Sequence, residues 1–366
     1  MLQADQSRLR QRRLMETLGR ENLDAVVLGA PHHVYWASAH RPWWLHEAVF
    51  ILLADGRSWL ATANSPNQSA AADQIVGFEA TWNGTQRQDQ PAVLAEMVIK
   101  ELQSRRALRI GVDASAVTSE VVMRFDGGAL SIDADLWQYR RRKHVDELAM
   151  MRTAIACSEA MHRRAREIVA PGITEIEVFT ELNAAAVKRA GEPLSALLGN
   201  DYEVAAGGGP ARNGVMAKPG QLYILDLGPA YRGYFADNSR AYSVDRKPTD
   251  AQMKAWQAIA GVFPIVERMA KPGVRGRDLY ATIDAHLCEA TGTGLTHHLG
   301  HGVGLQPHEF PHLNPKWDDV LIEGEIFTAE PGLYSSELNG GIRLENQYLV
   351  TRDGVENLVN VPLELI

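Results

Sequence analysis

The chain has almost no cysteine: two in 366 residues, Cys157 and Cys288, 131 positions apart. That spacing rules out a disulfide framework and a paired-thiolate zinc site. Long apolar runs are missing too, and none approaches the ~18 residues that a membrane span needs. The opening stretch MLQADQSRLRQRRLMETLG is too charged to hold the apolar core of a secretory signal. Positive charge is in deficit, with 37 Lys and Arg against 45 Asp and Glu, a net charge of −8 and a pI near 5.9. Such a balance argues against a field that collects nucleic acid. What is present is ordinary globular composition, 45% hydrophobic and 22% charged. The length allows a sizeable core and suggests two domains. These features lead to the expectation of a reduced, soluble, cytoplasmic protein with neither a nucleic-acid nor a membrane partner.

The first third alternates short apolar runs with helical stretches. LDAVVLGA (23–30) reads as a buried strand after an amphipathic helix, and AVFILLADG (48–56) with RSWLATA (57–63) reads as a hairpin. Residues 91–103 have helical periodicity with Pro91 in the first turn, and LRIGVDAS (108–115) is strand-like. Five of the eight tryptophans lie in this part. For the pair Trp43–Trp44, packing inside the domain is favoured over a substrate wall or dimer contact. A basic run, Arg140 to Lys143, precedes a helical pattern over 145–169, and the domain boundary is placed there, giving domains 1–140 and 141–366. The run reads as a solvated connection rather than a nucleic-acid patch.

The remainder carries a repeat. A helix ends in VAPGITEIEVFTELNAAAVKRAG (169–191), and a second, near 250–270, ends in MAKPGVRGRDLYATIDAHLCEATG (269–292). In each, Pro-Gly breaks the chain and a second amphipathic helix runs to a terminal glycine, Gly191 or Gly292. Pro171 and Pro272 are 101 residues apart, and Gly-rich, β-like sequence follows each pair. The order suggests one domain built by duplication, with a site where the halves meet; Pro-Gly as common punctuation is the plainer alternative.

The chemistry-bearing residues follow these helical pairs. In QLYILDLGPAYRGYFADNSRAY (221–242), Asp226 lies in an apolar strand, and a turn centred between Tyr231 and Arg232 sets Asp237 directly opposite it. Opposed carboxylates about 5 Å apart repel unless a cation or shared proton lies between them; pairing of Asp237 with Arg240 is the structural alternative. After the second pair, HHLGHGVGLQPHEF (297–310) holds four histidines among glycines, and IFTAEPGLY (326–334) ends a strand at Glu330. GIRLENQYLV (341–350) alternates as one half-buried strand with Arg343 and Glu345 on one face. A site of Asp226, Asp237, His301, Glu330 and Glu345 favours manganese, iron or cobalt over structural zinc, with zinc still open. It has enough bridging carboxylates for two metals roughly 3.5–4 Å apart.

This ordered set (DLG, the Asp of ADNSR, HxxGHGVGLxxHE, AEPGLY, GIRLEN) resembles the metallopeptidase family with the pita-bread fold. That family includes methionine aminopeptidase, Xaa-Pro aminopeptidase, prolidase and creatinase. Residues 21–60 resemble the N-terminal domain of the Xaa-Pro peptidases and creatinase, a domain usually lacking in methionine aminopeptidases. The resemblance implies an α/β creatinase-like N-terminal domain followed by an α+β pita-bread catalytic domain. It implies two divalent metal ions, manganese first, then cobalt, iron or zinc. Asp226 and His301 would each bind one metal, Asp237 and Glu345 would bridge, and Glu330 would be a ligand beside the nucleophilic water. His297 and His308 match positions that contact substrate and the oxyanion, and Arg343 matches an arginine supporting the site. All five ligand positions hold ligand-type residues, unlike creatinase, whose catalysis is metal-free.

The implied activity is that of a dinuclear metal-dependent hydrolase of the Xaa-Pro dipeptidase or aminopeptidase type, a metal-bound hydroxide attacking the scissile amide of a small peptide. A homodimer is the implied assembly. One departure supports an alternative, a non-peptide amide hydrolase or lyase with the same metals. A substrate-facing His usual in the family before the first ligand is absent, and no His occurs between His162 and His286. Arg212 or Asn213 is expected in its place. Asn346 is a milder departure, at a position where Asp is common.

Overall fold

The computed structural model describes residues 1–64 and 68–365. The chain divides into two compact units, Met1–Arg140 and Arg141–Ile366.

In the first unit the amphipathic N-terminal segment is the helix Ala4–Glu21, stopped by Asn22 in the left-handed region. A six-stranded mixed sheet has the central strand Ala25–Leu28 between Ala48–Leu53, antiparallel, and Arg109–Val112, parallel. The strand Ser58–Ala63 returns antiparallel to Ala48–Leu53, as a hairpin. The helix Gln90–Ser104, which has Pro91 in its first turn, buries Leu94, Val98 and Leu102 against this sheet. Asp113, just past a strand end, accepts hydrogen bonds from the Gly29 and Ala30 amides and pairs with His33. Trp43 and Trp44 depart from the packing expectation: they are 54% and 80% exposed and lean on each other, with Trp43 also against His46.

The second unit opens with the helices Val145–Ile168 and Glu175–Ala190. Thr174 and Glu177 form a capping box at the start of the latter, and Gly191 (φ 70°) closes it. The matching helix Gly276–Thr291 is displaced by 101 residues at both ends and closes on Gly292 (φ 80°). The turns before them repeat as well, with Gly172 at φ 94° and Gly273 at φ 93°. The helix expected near 250–270 is split into Asp250–Ala260 and Val262–Met269. Pro264 lacks the N–H that would bond one turn back, which interrupts the ladder there.

Two further sheets carry the site. The hairpin of Leu222–Tyr231 turns at Arg232 (φ 49°) and Gly233 (φ 91°), both left-handed, as a type I′ turn requires. The turn is therefore centred between Arg232 and Gly233, one residue later than expected, so Asp226 pairs with Ser239 rather than with Asp237. Asp237 is the diagonal neighbour and keeps the same face. The stretch 341–350 is also not one strand. Gly340–Arg343 pairs with Gly332–Ser335, and Asn346–Val350 pairs with Ile326–Ala329. Between them the chain leaves one ladder for the other, the Glu345 amide donating to the Ser239 carbonyl.

The basic run is not a solvated connection. Arg140, Arg141 and Lys143 are buried; Arg141 pairs with Glu325 and Lys143 with Glu309 at 3.4 Å. Acids claim the charges of Arg141 and Lys143, and Arg140 lies against His33, which excludes a nucleic-acid patch on different grounds from those of composition.

His162, fully buried, has its Nε2 3.1 Å from the Asn238 carbonyl and its Nδ1 2.8 Å from the Tyr242 hydroxyl. A carbonyl only accepts, so Nε2 carries the proton and the ring is neutral. Burial, then the nearby Arg240 charge, lowers its pKa to about 3. Above pH 6.5 the ring is neutral both folded and unfolded; below it only the unfolded chain takes up the proton. Stability is therefore expected to fall by ~2 kcal/mol between pH 7 and pH 5 from this group. Urea unfolding of the wild type and of His162→Gln at both pH values checks this: the variant should lose that slope, and equal slopes would refute it.

Candidate metal centre

Asp226, Asp237, His301, Glu330 and Glu345 are all buried and line one cavity of about 490 Å³ with Asp201, Gly207, His297, His298, His308, Tyr334 and Arg343. The hairpin supplies the two aspartates. The short strand Gly300–Gly302 supplies His301, where backbone crowding decides the sequence. A Cβ on Gly300 would lie 1.9 Å from the Thr328 carbonyl, and one on Gly302 1.9 Å from the Phe310 carbonyl. Glu330 follows the strand Ile326–Ala329, and its amide donates to the Leu299 carbonyl.

Side-chain donors fall into groups whose candidate ligand atoms all lie within 4.8 Å of one another: Asp226–Asp237–Glu345, His301–Glu330–Glu345, Asp237–His301–His308 and His297–His298–Glu330. Glu345 belongs to two of them. Its two carboxylate oxygens, and Oδ1 of Asp226, are buried with no hydrogen-bond partner among the described residues. Buried, unpartnered carboxylate oxygens cost several kcal/mol unless a proton or cation meets them. Nδ1 of His301 donates to the Gly302 carbonyl at 3.0 Å, which turns the Nε2 lone pair toward Glu330 (3.3 Å) and Asp237 (3.8 Å). A lone pair facing two carboxylates is the arrangement of a metal-ligating imidazole oriented by a backbone acceptor. Hard oxygen donors with one imidazole fit a divalent cation of the manganese or cobalt kind.

The electrostatics agree with an anionic site held open for positive charge. Burial, then the charges of Asp226 and Glu330, pushes Asp237 well above the ordinary carboxylate range. Burial, then Asp237, does the same to Glu345. Glu330 goes the other way: burial opposes ionisation, but the hydrogen bond from His298 outweighs it and holds the carboxyl below its usual range. Partial desolvation, then His301, lowers His308 to about 4 although its side chain reaches solvent.

Arg343 donates from Nε and Nη2 to Oδ2 of Asp226 at 3.0 and 2.8 Å, from Nη1 to the Gly207 carbonyl and the Tyr334 hydroxyl, and from Nη2 to Asp201. All five guanidinium N–H groups are thereby committed. Arg240, the alternative partner of Asp237, is engaged elsewhere, with the carbonyls of Ser239, Glu345, Val361 and Pro362 and with Oδ1 of Asn346. Asn346 therefore serves that clamp.

His297 and His308 both reach the cavity, in different states. Nδ1 of His297 donates to the His298 carbonyl at 2.8 Å, and Nε2 accepts from the Tyr334 hydroxyl at 3.0 Å. His308 stacks on His301 with ring centroids 3.7 Å apart. Neither Arg212 nor Asn213 lines the cavity, contrary to expectation. Glu175, buried at a helix start, binds the Arg212 backbone amide and guanidinium and turns them away. Four lining residues were not foreseen: Gly207, which lines with its backbone, and three side chains, His298, 3.1 Å from Glu330, together with Tyr334 and Asp201. His298 and Tyr334 sit inside the motifs HHLGHG and AEPGLY and were within reach of sequence reasoning; Asp201 had no signal.

The chain belongs to metallopeptidase family M24, whose model matches residues 149–352, and a creatinase/prolidase N-terminal domain matches residues 10–140. It is thus a metallopeptidase-type hydrolase with an α/β creatinase-like N-terminal domain and an α+β pita-bread catalytic domain. The chain is 24% identical to an Xaa-Pro dipeptidase of Pyrococcus horikoshii over 358 residues, covering 97% of this chain and 98% of that protein. In fold it is similar to an Xaa-Pro dipeptidase from Bacillus anthracis (TM-score 0.82, 22% identity, 98% and 99% covered). It is also similar to an X-Pro aminopeptidase from Thermotoga maritima (TM-score 0.78, 22% identity, 97% and 98% covered). No helix among the described residues is long and apolar enough to cross a membrane.

Loading chelator-treated protein with Mn²⁺ at about 100 times its Kd should raise Tm by roughly 5–10 °C. Glu345→Gln should abolish that rise, as read by scanning calorimetry; an undiminished rise in the variant would remove Glu345 from the ligand set.

Proposed function

We propose that this protein is an Xaa-Pro dipeptidase or aminopeptidase working with two divalent cations, manganese first and cobalt, iron or zinc as alternatives. The observation that carries the reading is the convergence of Asp226, Asp237, His301, Glu330 and Glu345 on one cavity with the oxygens of Glu345 unpartnered. Near full-length similarity to an Xaa-Pro dipeptidase supports the substrate class. The catalytic domain of this reading spans 141–366, built by internal duplication, and the protein acts as a cytoplasmic homodimer.

In this reading Asp226 and His301 would each hold one cation, and Asp237 and Glu345 would serve both. A bound divalent cation supplies Lewis acidity, acidifying water and polarising a carbonyl. Glu330 would be a fifth ligand and would accept a hydrogen bond from the attacking water, its carboxylate kept ionised by the hydrogen bond from His298. Partial desolvation at the cavity mouth and the neighbouring His301 keep His308 neutral, and no ring hydrogen bond engages it among the described residues, so its N–H would serve the developing oxyanion. His297 has both ring nitrogens engaged and shapes the substrate wall through Tyr334. Arg343 fixes the Asp226 carboxylate and thereby the direction of Oδ1.

A second reading, the same metals acting on a non-peptide amide by hydrolysis or elimination, is favoured by one observation: Asp201 and Gly207, rather than the histidine usual in the family, line this wall. A metal-loaded screen of Xaa-Pro dipeptides, tripeptides and small amides, beside elemental analysis, separates the two. Cleavage of Xaa-Pro bonds is the expected outcome, and turnover of small amides alone would favour the second. Asp237→Ala should abolish activity and release metal. His308→Ala should keep its metal and lose roughly 100-fold in kcat, the scale of one oxyanion donor; unchanged kcat would remove that role.

A further inference from the structure

Asp201 is a fifth carboxylate in the cavity, outside every metal-compatible group found among the described residues. It sits at the end of the strand Ala196–Asp201, directly cross-strand from Asp226. Like charges directly opposed in a sheet are destabilising, and here the Arg343 guanidinium bridges both. Arg343 does not require that second charge. Four of its five N–H groups are satisfied by Asp226, the Gly207 carbonyl and the Tyr334 hydroxyl. An asparagine carbonyl would accept the remaining one. The other recorded contact of Asp201, the Gly209 amide at 2.6 Å on Oδ1, would equally accept a neutral oxygen. The chain is moreover shaped around this carboxylate: a Cβ on Gly208 (φ 141°) would lie 2.4 Å from Oδ2 of Asp201. A carboxylate has about four acceptor positions, of which these contacts use two, and the side chain is 22% exposed at the cavity wall.

We propose that Asp201 is a specificity residue that binds a cationic group of the substrate, an ammonium or amidinium, beside the scissile bond. This rests on the peptidase reading for the choice of substrates below. The cavity lining supports it. Five carboxylates and one guanidinium give a formal charge of −4 with neutral histidines. One divalent cation leaves the cavity negative and two leave it neutral. Without the Asp201 charge, a doubly loaded cavity would be positive and would favour an anionic group instead.

The test compares Mn²⁺-loaded wild type with Asp201→Asn and Asp201→Glu on Ala-Pro, which has a free ammonium, and on acetyl-Ala-Pro, which has none. The preference for Ala-Pro, as a ratio of kcat/KM, should fall roughly ten-fold or more in Asp201→Asn, mainly through KM, and recover in part in Asp201→Glu. Metal content should match the wild type. Loss of metal, or equal losses on both peptides, would mean that Asp201 only positions Arg343 and would overturn the proposal. A parallel calorimetric titration with benzamidine and its neutral counterpart benzamide reads the same residue without turnover. Wild type should prefer the amidinium and Asp201→Asn should not. If neither peptide is cleaved but that preference holds, the peptidase reading fails and the Asp201 assignment stands. If the wild type shows no preference for the amidinium, the assignment fails.

Discussion

The mutual repulsion of buried carboxylates is the constraint around which the second unit is arranged. Asp226, Asp237, Glu330 and Glu345 converge where water is largely excluded, and their like charges would drive them apart or into protonation. The protein answers this only in part. Arg343 compensates Asp226, and the hydrogen bond from His298 supports Glu330. Asp237 and Glu345 are left in an environment hostile to their charge. A half-compensated cluster of this kind is poorly suited to packing and well suited to an ion. A cation held by these side chains would offset that repulsion, and folding stability and metal affinity would then be coupled through them.

Legibility in the sequence followed the physical locality of each feature. The helices were readable because their signals are local: the Thr174–Glu177 capping box and the closing glycines Gly191 and Gly292 act within one turn of the residues they cap. The five donor residues were readable because carboxylates and histidines are rare in apolar or Gly-rich strands without a partner. The hairpin register was not, since a left-handed Arg232 ahead of Gly233 is unusual; it moves the turn centre by one residue and the partner of Asp226 by two, from Asp237 to Ser239. Nor was the break between Arg343 and Glu345, because the alternation of side chains continues while the backbone changes partner strand.

Longer-range features were silent. The burial of Arg141 and Lys143 goes with acids far along the chain, Glu325 and Glu309, and a run of four basic residues looks solvated without them. The exposure of Trp43 and Trp44 likewise depends on what fails to cover them. Asp201 sits in a stretch with no periodic or motif signal. Only the reach of Arg343 across two strands discloses its place.

Arg240 is a buried cation whose recorded partners are carbonyl and amide oxygens rather than carboxylates, and they come from three separate stretches: Ser239, Glu345–Asn346 and Val361–Pro362. One guanidinium thus acts as a rivet joining the C-terminal tail to the backbone of Glu345. Tugging, trimming or fusing the tail near Val361 would be felt at that carboxylate without touching any residue of the cavity, so the placement of a purification tag becomes a chemical choice for this protein.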